Sequence, residues 1–196
     1  MTAWLNFTIL LFSSLAFMVF YVRSVSPAGL EKTMPGKGYQ HCFHLRVIAI
    51  IFEVITLVCY VVYYFYPLNV PIPALFPWPW WISLVIAIAI GFPATVLMVI
   101  GMKDAGEEAA RPMPEHVMYS GIYEKIRHPQ ALGEVFLWLV AALLLNSPFL
   151  AIFSLIYFPI FLLFCWAEEQ DLLLRFGDSY AEYMWRTGAY WPKRRK

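Results

Sequence analysis

The first charged side chain in the sequence is Arg23, so residues 1–22 form an uncharged, mostly apolar run. A membrane-crossing helix needs about 20 mostly apolar residues, and this run predicts the first one. No basic segment precedes it, so it does not read as a cleavable signal peptide. A second apolar run extends from about Val47 to Tyr66, interrupted only by Glu53. A third extends from about Trp80 to Met102, with Gly91 and Pro93 predicting a kink. Between these two lies Pro67–Trp80, whose five prolines cannot continue a helix and predict a turn. Its Trp78 and Trp80, with Trp81 just beyond, suit a membrane interface. Residues 135–167 carry no charge over 33 positions, too long for one ordinary span. Asn146-Ser147-Pro148 reads as a tight turn inside that stretch. The prediction is a helical hairpin, about Ala131–Leu145 and about Phe149–Trp166, with Pro159 as a further kink point.

The basic residues give an orientation. Four lie in 23–46, four in 103–127 and six in 175–196, which is all 14 of the chain. The N-terminus, the proline-rich loop and the Asn-Ser-Pro turn have none. The positive-inside rule then puts the N-terminus outside and the C-terminus in the cytoplasm. Five spans agree with that parity. The expected fold is all-α: an integral, multi-pass membrane bundle of five transmembrane helices. Spans four and five form a helix-turn-helix hairpin, and the C-terminal region is cytoplasmic. Residues 1–102 supply three N-terminal helices; residues 103–196 supply a loop, the hairpin and the cytoplasmic end.

Composition excludes the soluble alternatives. Hydrophobic residues make up 61% and charged residues 14% of the chain, and mean hydropathy is +0.65. So few charges cannot cover a soluble surface, and so much apolar matter is incompatible with disorder. A net charge of +1 gives no field for nucleic acid. Cys42, Cys59 and Cys165 have no paired or metal-ligand spacing and read as small core residues, with no metal site.

Chemistry concentrates in two places. Residues 103–134 and 167–196 hold eleven of the 13 acidic residues, and they flank the hairpin on one side. A hairpin brings its ends together, so Arg127-His128-Pro129 should meet Glu168-Glu169. Adjacent carboxylates at a helix end cannot share a face, so one should point into the bundle and one to water. Glu134, one turn into its helix, divides evenly between snorkelling and function. Glu53 should find a polar partner in the bundle. The connector at 24–46 reads as solvated, and His41 and His44 as interfacial. There is no dinucleotide fingerprint, P-loop, Gly-x-Ser-x-Gly or His-Glu-x-x-His. The apolar interiors leave no polar pore, and no inverted repeat suggests a transporter.

One set of blocks is specific in combination. These are Ser120-Gly-Ile-Tyr-Glu-Lys-Ile-Arg-His-Pro129, Gly133-Glu134, Glu168-Glu169 and Phe176-Gly-Asp-Ser-Tyr-Ala-Glu-Tyr183. Over roughly residues 103–192 the chain resembles the isoprenylcysteine carboxyl methyltransferase family of integral membrane enzymes, as a short prokaryotic member. Related blocks occur in phospholipid N-methyltransferases and sterol reductases. The resemblance implies S-adenosylmethionine as methyl donor, bound by the C-terminal half. The cofactor contacts it implies are Glu115, His116, Val117, Met118, Tyr123, His128, Pro129, Gln130, Ala131 and Glu168. Arg127 and Glu169 would bind or position substrate. No catalytic base is implied for a carboxylate acceptor, which is already ionised; for an amine, Glu169 or His128 are candidates.

The implied acceptor is a lipophilic, membrane-borne carboxylate such as a prenylcysteine-like C-terminus. Two positions depart from the family: Ala131 stands where a Tyr is usual, and Phe164 where eukaryotic enzymes carry a substrate-linked Arg. The alternatives are a phospholipid-type N-methyltransferase, a membrane reductase using a nicotinamide cofactor, and a structural membrane protein.

Overall fold

The computed structural model describes residues 1–114 and 120–193. The described residues form eight α-helices, with short 3-10 turns between some of them and no strand beyond one isolated bridge. Helix α1 is Thr2–Ser24, and α2 is the short Pro27–Thr33, started by a proline at its first position. Helices α3 (Gly38–Phe65) and α4 (Trp80–Ala105) follow. The hairpin is α5 (Pro129–Leu144), then α6 (Pro148–Phe153), which passes through a 3-10 turn into α7 (Tyr157–Phe176). Helix α8, Asp178–Arg186, closes the chain.

Four helical stretches are long and apolar enough to cross a membrane: Thr2–Ser24, Gly38–Phe65, Trp80–Ala109 and Pro148–Phe176. The first arm of the hairpin is a shorter apolar helix of 16 residues. At 1.5 Å per residue it covers about 24 Å, less than a typical hydrocarbon core. Large apolar side chains cover the outer faces, Phe92 among them at 72% exposed. In a lipid solvent these are buried against acyl chains.

Without a strong hydrophobic force between helices in lipid, small residues and hydrogen bonds hold the bundle. Helices α4 and α5 approach until a Cβ on Gly133 would sit 2.3 Å from the Ala94 carbonyl oxygen, and one on Gly101 2.8 Å from the Gln130 nitrogen. Helices α1 and α3 are tied by Asn6 Nδ2 donating to the Cys59 carbonyl at 3.0 Å and by Ser13–Thr56 at 2.8 Å. Ser14 meets Tyr157 of α7 at 2.8 Å, and Trp138 of α5 stacks on Tyr157 at 4.3 Å.

The proline-rich loop forms no helix, as expected, and it is tied to the hairpin turn. Ser83 Oγ donates to Asn146 Oδ1 at 2.6 Å, and the Phe76 N–H donates to the Asn146 carbonyl at 3.1 Å. Asn146 has φ of 53°, a left-handed conformation that Asn tolerates, and Ser147 caps α6. Helix α3 starts nine residues before the apolar run that predicts it, because Gly38 and its neighbours extend the helix into the polar region.

Candidate active site

The connector at 24–46 is not the solvated link its sequence suggests. Helix α2 docks on α7, with the Gly29 N–H donating to Asp171 Oδ1 at 2.9 Å. Below it, the end of α4, the start of α5 and the middle of α7 converge on a cleft.

Local geometry explains the Gly-Ile-Tyr block. Gly121 has φ of 61°, and a Cβ there would lie 2.1 Å from Asp104 Oδ2. That same oxygen accepts from the Ile122 N–H at 2.7 Å and sets the 3-10 turn that carries Tyr123. Tyr183 Oη donates to the Tyr123 carbonyl at 2.7 Å, so α8 holds the turn from the other side. The strand-like bridge Ile126–Gly188 does the same for the next residues: the Arg127 and His128 N–H groups donate to the Gly188 and Ala189 carbonyls at 2.9 and 3.1 Å.

Arg127, His128, Glu168 and Glu169 do come together. Arg127 Nε donates to Glu169 Oε1 at 2.7 Å, and its Nη1 donates to the carbonyls of Met184 and Thr187. His128 Nε2 meets the same Glu169 oxygen at 2.9 Å, and its Nδ1 meets Glu168 Oε2 at 3.3 Å. The expectation that one glutamate faces water and the other the bundle holds in part: the Glu168 side chain is 35% exposed and that of Glu169 14%. Both nonetheless reach one histidine, which offers a nitrogen to each; α7 continues to Phe176, so the pair sits inside the helix and not at its end. Burial disfavours the imidazolium, but hydrogen bonds to Cys165, Glu168 and Glu169 outweigh it and hold His128 protonated well above its usual range.

The cleft is lined by Tyr123, Arg127, His128, Gln130, Ala131 and Glu168 among the residues expected from the sequence. Pro129 lies behind it, fully buried against Gly101. Glu169 acts on the cleft through Arg127 and His128. Glu115, His116, Val117 and Met118 lie outside the described residues. The structure adds Tyr21, Arg46, Glu108, Glu134, Phe161, Phe164 and Cys165 to the lining. Cys165 is buried, as a core residue would be, yet it faces the cleft. Glu134 also interacts with Glu53 of α3, which is the polar partner Glu53 was expected to find. Phe164 packs on Tyr21 with ring centroids 4.4 Å apart.

Arg46 Nη1 donates to the carbonyls of Glu108 and Ala109 at 3.2 and 3.1 Å. The Glu108 carboxylate accepts from Arg175 at 2.9 Å and from the Met113 N–H at 2.9 Å. The only signal in the sequence for Tyr21 and Arg46 is their place at the polar ends of apolar runs.

Such an arrangement defines a membrane-embedded helical protein with a mixed-charge, aromatic-walled cleft at one end of its bundle. The family model for phospholipid methyltransferases matches residues 74–179, just over half of the chain, and the chain belongs to that family. Isoprenylcysteine carboxyl methyltransferases belong to the same superfamily of membrane methyltransferases. No curated protein and no solved structure matches the chain. The matched stretch runs from the proline-rich loop to the start of α8. It carries most of the cleft, while Tyr21 and Arg46 come from outside it.

Proposed function

We propose that this protein transfers a methyl group from S-adenosylmethionine to an amine-bearing lipid in the bilayer. The observation that carries the reading is the cleft itself, which brings Arg46, Glu134 and Glu168 together with the rings of Tyr21, Tyr123 and Phe164. Its residues suit the donor chemically. Glu168 can hold an ammonium, Arg46 a carboxylate, and the rings of Tyr21, Tyr123 and Phe164 can enclose a base. In the present form the cleft holds about 60 Å³, room for a few waters, so it must widen for a nucleoside-sized ligand.

S-adenosylmethionine supplies an electrophilic methyl on a sulfonium, and the leaving thioether is neutral and needs no acid. The protein's part is then positioning and exclusion of water. Glu169 fixes Arg127 and His128, and they in turn fix the start of α5 and the side chain of Glu168. His128, protonated and facing two carboxylates, is a donor and not a base. An amine acceptor must lose a proton as its nitrogen bonds the methyl carbon, and Glu134 is the carboxylate in position to take it. The paired carboxyl groups of Glu134 and Glu53 offer a carboxylate acceptor no cation. Phe164, 3% exposed among Phe17 and Tyr21, offers none either. We further propose that the short α5 completes a fifth span, with the cleft on the cytoplasmic face where every Lys and Arg falls.

Titration calorimetry with S-adenosylhomocysteine tests the donor. Glu168→Gln should weaken binding about tenfold or more through loss of a hydrogen bond to a charged group, and Glu53→Gln should leave it nearly unchanged. Wild-type protein that fails to bind would sink the donor assignment. Radiolabelled methyl transfer then tests the acceptor. Label should enter phosphatidylethanolamine, and label entering only a farnesylated thiol acid would overturn the amine reading.

A further inference from the structure

Beside Glu168 lies a smaller polar chamber of about 20 Å³, between α2, α3 and α7, which like the cleft must widen to take more than a single water. Arg46, Glu108, Glu168, Asp171 and Arg175 line it, and three of these also line the cleft. Asp171 is only 3% exposed. Its Oδ1 accepts from the Gly29 N–H, with the Ala28 N–H alongside. Its Oδ2 accepts no hydrogen bond among the described residues, and the buried Nε atoms of Arg46 and Arg175 donate none. Each unmet buried group costs about 1–3 kcal/mol, and such groups are uncommon enough in folded chains to require a cause. Here three of them belong to residues that line one chamber: two cationic N–H donors and one carboxylate acceptor.

That set is the complement of an α-amino acid end, which presents a carboxylate to donors and an ammonium to acceptors. We propose that the chamber is the subsite for the aminoacyl end of the methyl donor. Arg46 and Arg175 Nε take its carboxylate, and Asp171 Oδ2, with Glu168, takes its ammonium. The inference rests on the donor reading above and extends it to residues of α2, α3 and α7 outside the recognised motif. It also gives α2 a role: docked through Gly29, it closes the chamber from solvent.

The test compares two ligands that share an adenosyl group. S-adenosylhomocysteine carries the aminoacyl end; 5′-methylthioadenosine lacks it. Wild-type protein should bind the first at least tenfold more tightly. Asp171→Asn keeps an oxygen for Gly29 but removes the charge. It should lose about tenfold or more in affinity for S-adenosylhomocysteine and none for 5′-methylthioadenosine, which also reports that the variant is folded. Arg46→Gln should behave the same way. Equal wild-type affinities, or equal losses for both ligands in Asp171→Asn, would overturn the subsite and leave the donor standing; the orphaned atoms would then hold water. Failure of wild-type protein to bind either ligand would overturn both.

Discussion

Replacing Arg127 by Ala removes a side chain that ties α7 to the C-terminal segment. Arg127 and Glu169 are 10% and 14% exposed, so solvent screens their pair little. The guanidinium donates to Glu169 and to the carbonyls of Met184 and Thr187. Its loss takes from Glu169 one of two cations, His128 being the other, and leaves the Thr187 carbonyl without this donor; Met184 keeps Lys193. Breaking a buried pair on one side costs about 3–5 kcal/mol. Arg186–Glu182 is the internal contrast: an i,i+4 pair at 3.9 Å, 62% and 69% exposed, worth under about 0.5 kcal/mol. Thermal unfolding in detergent should therefore separate Arg127→Ala sharply from Arg186→Ala. Hydrogen exchange at the Arg127 and His128 amides, which pair with Gly188 and Ala189, should rise in the first variant alone. Arg127→Lys keeps the charge but loses the planar fork, and should fall between. Equal stability of Arg127→Ala and Arg186→Ala would refute the view that this buried network holds the end of the chain.

Gly133→Ala should destabilise the protein by about 1–3 kcal/mol, because the new Cβ meets backbone of α4 at Ala94 and Met98, 2.3 and 2.7 Å away. A denaturation midpoint unchanged from wild type would show that α4 and α5 can part without cost. Stability should also fall with rising pH through His128. Its folded pKa lies well above the usual 6.5, so its contribution is full below about pH 6.5 and is lost as pH passes the folded value. His128→Gln should flatten that alkaline fall in melting temperature, and parallel curves for variant and wild type would count against the imidazolium.

The sequence by itself determines the four helices long enough to cross a membrane, the proline-rich connection, the turn at Asn146 and the meeting of Arg127-His128 with Glu168-Glu169. The reason is that a bilayer forces backbone groups to pair within each segment, so local hydropathy decides which segments are helices. A hairpin then brings its own ends together. What only the tertiary structure decides is which faces of these helices look at one another. A helix that is apolar nearly all round gives no rotational signal, so nothing in the run around Tyr21, Phe161 or Cys165 marks the side that meets the cleft. Arg46 and Glu108 are 62 residues apart, and Gly29 and Asp171 are 142 apart. Their pairing exists only because α3 packs against the end of α4 and α2 against α7. The shared histidine of Glu168 and Glu169 has the same origin: periodicity places the two glutamates on different azimuths of α7, and the position of His128 between them is set by the docking of α5.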